Sequence, residues 1–271
     1  MEESSVLWLR VAAGLYFFGL IEAVITAVRR RESFFRVALG TFALGSLFHL
    51  VSIVEQGLAI HHLPVSDIFQ TMSFCALSIA ITFLAIYYRY KAGSLGVVIF
   101  PLVFVMTLVG ALRSPVSPWS NPVIENTLLI AHVAASLLGY AALLFTAAAA
   151  VAYLVQEKQL KRKQPNSFYR VLPPLGTLDD LISKSLGVGF GLITIGIVLA
   201  SIWGFLEIGT RWIGRPSIAI SFVTWAVYLA LVFFRVSAGW RGRKTAILSI
   251  VALFCCGVTW LAHAQLQKHL L

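Results

Sequence analysis

The sequence predicts an all-α, polytopic membrane protein of eight transmembrane helices, with both termini outside. Three observations predict it. Of 271 residues, 59% are hydrophobic and only 12% charged, with a mean hydropathy of +0.88. A soluble domain of this size cannot hide that much apolar surface. The apolar residues fall into eight runs, most of them long enough to cross a hydrocarbon core of about 30 Å as helices. The basic residues sit mainly in alternate gaps between the runs.

The runs are roughly Val6–Val28, Phe34–Val54, Ile68–Tyr88, Ser94–Leu112, Ile124–Leu154, Leu186–Leu206, Ser217–Phe234 and Thr245–His263. The first opens on Glu2 and Glu3 rather than a basic region, so no cleavable signal is expected. Sixteen of the 21 lysines and arginines lie in the odd-numbered gaps; Arg10, Arg113, Arg211, Arg215 and Lys268 lie on the other side. Lysine and arginine accumulate on the cytoplasmic face, so the odd gaps are expected inside. The net charge of +10 is then a topology signal and a set of contacts with lipid headgroups, not a nucleic-acid site. The lipid bilayer is the first expected partner, and a bacterial-type inner (plasma) membrane the expected, multi-pass location. No repeat or separable soluble domain is visible, so residues 1–271 read as one integral membrane domain.

The three cysteines, Cys75, Cys255 and Cys256, form no CxxC or CxxCH pattern and read as small apolar packing residues. The longest cytoplasmic segment is 156–185. Its first part extends the fifth span, Pro165 ends that helix, and Pro173-Pro174 make an extended turn. Thr177 with Asp180 resembles a helix N-cap, so a new helix is expected there, lying along the membrane face before the sixth span. The outer loop 113–126 carries three prolines and Trp119, and 207–217 joins spans six and seven outside.

All six histidines fall outside or in the outer third of the membrane on this topology. His49 is expected about one turn from the outer end of span two. His61 and His62 follow in the outer loop, His132 lies about two turns into span five, and His263 and His269 lie at the outer end of span eight. Histidine is amphipathic and tolerates interfaces, which accounts for the loop residues. His132 and His263 are different, because an ionisable residue within a span is a candidate functional residue. Two imidazoles from different helices at matching depth suit the two faces of a haem iron. A zinc site would call for a clustered carboxylate or thiolate as well. Glu22, deep in span one, is expected to be paired or protonated, with a proton or quinone role as the alternative. Glu125 is expected to cap span five.

Several stretches resemble the cytochrome c assembly family, which includes CcsA-, CcmC- and HemX-like proteins. They are "AHVAASLLGYAALLFTAAAAVAYLVQEKQLKRK" (131–163), "LPPLGTLDDLISKSLGVGFGLITIGIVLASIWG" (172–204) and "GLAIHHLPVSDIFQTMSF" (57–74). The resemblance covers roughly residues 40 to 265. It implies haem handling at the outer face, with haem b as ligand, and other cytochrome c biogenesis membrane proteins and apocytochrome c as partners. The family carries a tryptophan-rich outer loop, WGxxWxWDP, between two histidines. Here the loop reads "IGTRWIGRP" (208–216), keeping Gly209, Trp212 and Pro216. Ile208 stands for the first Trp, Gly214 for the last and Arg215 for the Asp. His132 matches the histidine before the loop and His263 lies near the one after it, so these two are the implied iron ligands. His62, Trp212 and Arg215 would complete the site, with Arg215 and Arg211 able to meet haem propionates. No conventional catalytic constellation is visible. The alternative function is an accessory or regulatory membrane subunit, HemX-like, that binds no haem and acts through protein contacts.

Overall fold

The computed structural model describes residues 2–29, 32–60, 63–65, 68–90, 93–112, 127–162, 172–214 and 216–269. They form eight α-helices: α1 (Glu2–Arg29), α2 (Glu32–Ile60), α3 (Ile68–Tyr90), α4 (Gly96–Ala111), α5 (Thr127–Lys161), α6 (Leu175–Ile208), α7 (Pro216–Val236) and α8 (Arg243–His269). Six of them (α1, α2, α3, α5, α6 and α7) are long and apolar enough to cross a membrane, whereas α4 is shorter. Exposed side chains such as Phe18, Leu58, Ile195, Val223 and Phe254 stud the helices where a soluble protein would carry charge. This is a polytopic helical membrane protein.

The chain divides into two compact units: residues 1–125 with 158–173, and 126–157 with 174–271. In the first, aromatic rings interlock between α1, α2, α3 and α4. Phe42 and Phe100 stack at 4.1 Å, and Phe83 meets both edge-on. Rings of this size bury large apolar area with defined geometry, which fixes the helix register. Small residues let α1 and α2 approach. A Cβ on Gly45 would stand 3.0 Å from the Tyr16 ring, and one on Gly19 would stand 3.2 Å from the Ala38 carbonyl oxygen.

Helix α2 runs six residues beyond the expected end, because Glu55 is absorbed into the packing: the Trp8 indole Nε1 donates to its Oε1 at 3.2 Å. His49 is therefore not one turn from the helix end. It lies eleven residues from Ile60 and is fully buried. A chain of directed hydrogen bonds surrounds it. Ser46 Oγ donates to the Phe42 carbonyl at 2.9 Å, and Tyr16 donates to Ser46 at 3.2 Å. The Tyr16 oxygen is thus left to accept from His49 Nδ1 at 3.4 Å, and Nε2 accepts from Ser73 Oγ at 2.8 Å. This neutral imidazole joins α1, α2 and α3. Replacing His49 with leucine strands the Ser73 hydroxyl and should lower stability by about 1–2 kcal/mol. Thermal unfolding in detergent reads the loss.

Glu22 also has a protein contact: the Thr41 hydroxyl lies 3.5 Å from its Oε2 and also lies within reach of the Ala38 carbonyl at 3.0 Å. Structural pairing, rather than a free carboxylate in lipid, describes it.

The second unit is built on α5 to α8. Its core is Leu143, Leu186, Ile193, Tyr228, Leu231 and Ala252, with Phe190 and Trp225 packed against it. Trp225 stacks on Phe190 and donates from Nε1 to Thr194 Oγ1 at 3.0 Å, tying α7 to α6.

Helix α6 corrects the expectation of a separate surface helix. It starts at Leu175, directly after Pro174, with no side-chain cap, and runs unbroken to Ile208. Thr177 lies inside its first turn. Pro174 is the N-cap, with φ −52° and a non-helical ψ of 146°, so the helix begins two residues before Thr177. At 34 residues the helix is about 51 Å long, so its first turns project beyond the apolar core.

The first turns of α6 carry Asp179, which holds one end of the unit together. Arg235, at the end of α7, donates from Nη1 and Nη2 to the two Asp179 carboxylate oxygens, each at 2.8 Å. Gly242 N donates to Oδ1 at 2.8 Å. Gly242 has φ +66°, a left-handed conformation that glycine adopts at little cost, and a Cβ there would stand 2.7 Å from the Tyr153 hydroxyl on α5. Arg235 Nη1 also reaches the Trp240 carbonyl at 3.2 Å. So α6, α7 and the turn before α8 meet on one ion pair.

Candidate haem-ligand site in the second unit

Of the predicted ligands, His132 has a described side chain. It is half-buried on α5, five residues after Thr127. Its Nδ1 lies 2.7 Å from the Gly196 carbonyl oxygen of α6. A carbonyl oxygen only accepts, so Nδ1 carries the proton. Nε2 is then the unprotonated nitrogen with a lone pair to offer. Metal-binding histidines commonly take this form, with the second ring nitrogen held by a backbone carbonyl that fixes tautomer and orientation. Ser136 Oγ, one turn along α5, sits 3.4 Å from the same Nδ1 and flanks that contact.

Close packing of α5 on α6 makes the contact possible. A Cβ on Gly196 would press on Ser136 Oγ. A Cβ on Gly139 would stand 3.0 Å from Ile193 N and 3.1 Å from the Gly189 oxygen, and one on Gly189 would meet Leu143 at 2.8 Å. Glycine and serine along this crossing bring the two backbones together, so a short imidazole can span to the facing helix.

His263 lies on α8, six residues before its last residue, in the same unit as His132. Trp212 lies in the short 3-10 helix Gly209–Gly214, which starts at Gly209 with φ +60° and links α6 to α7. Arg211 in that turn is exposed. The structure describes the backbone at His263 and Trp212 but not their side chains, and Arg215, His62 and Glu125 lie outside the described residues. Thus α5, the connecting turn and α8 carry three of the five predicted residues, His132, Trp212 and His263, within one unit. Among the described residues no group of three or more His, Cys, Asp or Glu forms a metal cage.

Sequence reasoning missed two constellations. The His49 hydrogen-bond chain was hidden because the apolar run seemed to end at Val54. Arg235 is one of the sixteen basic residues of the odd-numbered gaps; the preceding Phe233-Phe234 and the double aspartate 179–180 are the available signal that it is fixed in a pair.

A bundle of apolar helices, one of them carrying an oriented and half-buried imidazole, defines a polytopic helical membrane protein. The family model for the cytochrome C assembly protein matches residues 43–271, and the chain belongs to that family. The Cytochrome c biogenesis protein CcsA of Prochlorococcus marinus (strain MIT 9301) is 28% identical over 277 residues, covering 91% of this chain and 89% of its own length. Proteins of the same name from Guillardia theta and from Microcystis aeruginosa (strain NIES-843 / IAM M-2473) are 24% and 25% identical, covering 94% and 77% of this chain and 89% and 78% of their own lengths.

Proposed function

We propose that this protein takes part in cytochrome c biogenesis by binding haem b and presenting it at the outer face of a bacterial-type inner membrane. The observation that carries the reading is the His132–Gly196 bond, which leaves an imidazole Nε2 oriented and unprotonated inside a membrane-protein unit. His132 and His263 are the axial ligands, one each from α5 and α8. Trp212 supplies an apolar face, and Arg211 and Arg215 supply cations for the propionates. The second unit is thus where this chain would hold haem. There haem is cargo, the iron porphyrin destined for an apocytochrome c, and the transfer is shared with other biogenesis membrane proteins.

The same reading includes the topology. Residues 1–271 form one integral membrane domain with eight spans, α4 and α8 included, and both termini outside. The bias of basic residues to alternate gaps supports it. The connection 209–214 and the start of α5 are then on the outer side, and the Asp179–Arg235 pair is on the cytoplasmic side.

Hemin titration of the purified protein in mild detergent tests the proposal. Wild type should give a low-spin Soret band, and His132→Ala should lose that band or bind at least tenfold more weakly. Protein that stays colourless with added hemin contradicts haem handling and leaves the accessory-subunit function. His49→Leu, in the first unit, should leave the titration unchanged.

A further inference from the structure

Helices α1 and α4 border a groove of about 560 Å³ in the first unit. Its lining is apolar apart from Arg10. Ala13, Gly14 and Ala111 contribute only small side chains, and Phe17 and Phe104 pair at 5.4 Å between ring centroids at the far end. Phe17 lies about 10 Å further along α1 than Arg10. The groove is open, with Phe17 44% and Leu108 40% exposed. A Cβ on Gly14 would meet nothing within 4 Å, which shows the same empty space from the backbone side.

Arg10 is exposed and lies inside the apolar stretch Ser4–Ile25. Among the described residues no carboxylate pairs with it. A guanidinium at that depth calls for an anion or a path to the headgroups. Among the described residues no anion stands there, whereas the bilayer supplies one. A planar guanidinium matches the two free oxygens of a phosphate.

We propose that this groove is a specific site for one anionic phospholipid. Its phosphate sits on Arg10, and one acyl chain runs over Gly14 toward Phe17 and Phe104. A zwitterionic lipid brings its own cation to the phosphate and so competes poorly for an unpaired arginine. The site lies in the leaflet nearer the N-terminus of α1, away from the basic clusters of the other gaps.

Lipid retention tests this. Protein purified in mild detergent is equilibrated with equal amounts of dioleoyl phosphatidylglycerol and dioleoyl phosphatidylcholine, and the retained lipids are counted by native mass spectrometry. Wild type should carry one more phosphatidylglycerol per chain than Arg10→Gln, and raising the salt should diminish that difference. Arg10→Lys, which keeps the charge, should retain the extra lipid. Gly14→Leu, whose Cβ meets nothing within 4 Å and whose side chain enters the groove, should lose it. Equal phosphatidylglycerol counts for wild type and Arg10→Gln would overturn the proposal, since anionic lipid would then be held only at the other basic clusters. An undiminished count in Gly14→Leu would overturn it too.

Discussion

Asp179→Ala should destabilise the protein by about 3 kcal/mol, measured as a fall in the thermal unfolding midpoint in detergent. The substitution removes more than a salt bridge. Arg235 has a side chain only 10% exposed, and both of its short bonds go to the Asp179 carboxylate. Without that carboxylate a nearly buried guanidinium is left uncompensated, and Gly242 N loses its acceptor. Removing one partner of a buried pair costs much more than the pair is worth, because the remaining charge keeps its desolvation penalty. Asp180 supplies the control. It pairs with Lys184 at 2.7 Å, but the two side chains are 46% and 60% exposed. Asp180→Ala should therefore cost well under about 1 kcal/mol. Similar losses for the two variants would contradict the assignment of Asp179 as the tie between α6, α7 and the turn before α8.

Gly139→Val is the second large effect. Gly139 is buried, and its Cβ would press on the backbone of α6 at Ile193 N and the Gly189 oxygen, neither of which can rotate away. Overpacking costs typically about 1–3 kcal/mol, and a β-branched residue pointed at backbone belongs at the upper end. The helices can accommodate it only by separating. Two turns up α5, that separation stretches the 2.7 Å bond from His132 to Gly196. Gly139→Val should therefore weaken hemin binding as well as stability, although it lies outside the ligand set. Gly196→Ala should be milder, because the nearest atom its Cβ meets is a serine hydroxyl that can turn. A Gly139→Val protein as stable as wild type would show that the α5–α6 crossing is looser than described.

The helices themselves were legible in the sequence, since each apolar run maps onto one of them. Their ends were less so. Glu55 and Gln56 seemed to close the second run, yet an acidic residue can stay helical when an indole N–H meets its carboxylate, as Trp8 does here. Thr177 looked like a cap, but the N-cap is Pro174 and the helix begins after it with no side-chain bond. Of the candidate site, the residue type and depth of His132 were readable, because an imidazole stands out in an apolar run. Its partner was not. A backbone carbonyl on another helix carries no sequence signature, and Gly196 is one glycine among several in its stretch. The Asp179–Arg235 pair is separated by 56 residues, a distance over which charge pattern alone picks no partner.

In the proposed function His132 offers Nε2 to haem iron while Gly196 holds its Nδ1. The most direct test removes the imidazole and returns it as a free molecule. His132→Gly protein is loaded with hemin, and its visible spectrum is recorded before and after addition of imidazole. The variant should lack the wild-type low-spin Soret band and regain it when imidazole fills the vacated position. A His132→Gly protein that binds hemin with the wild-type spectrum and affinity in the absence of imidazole would contradict it.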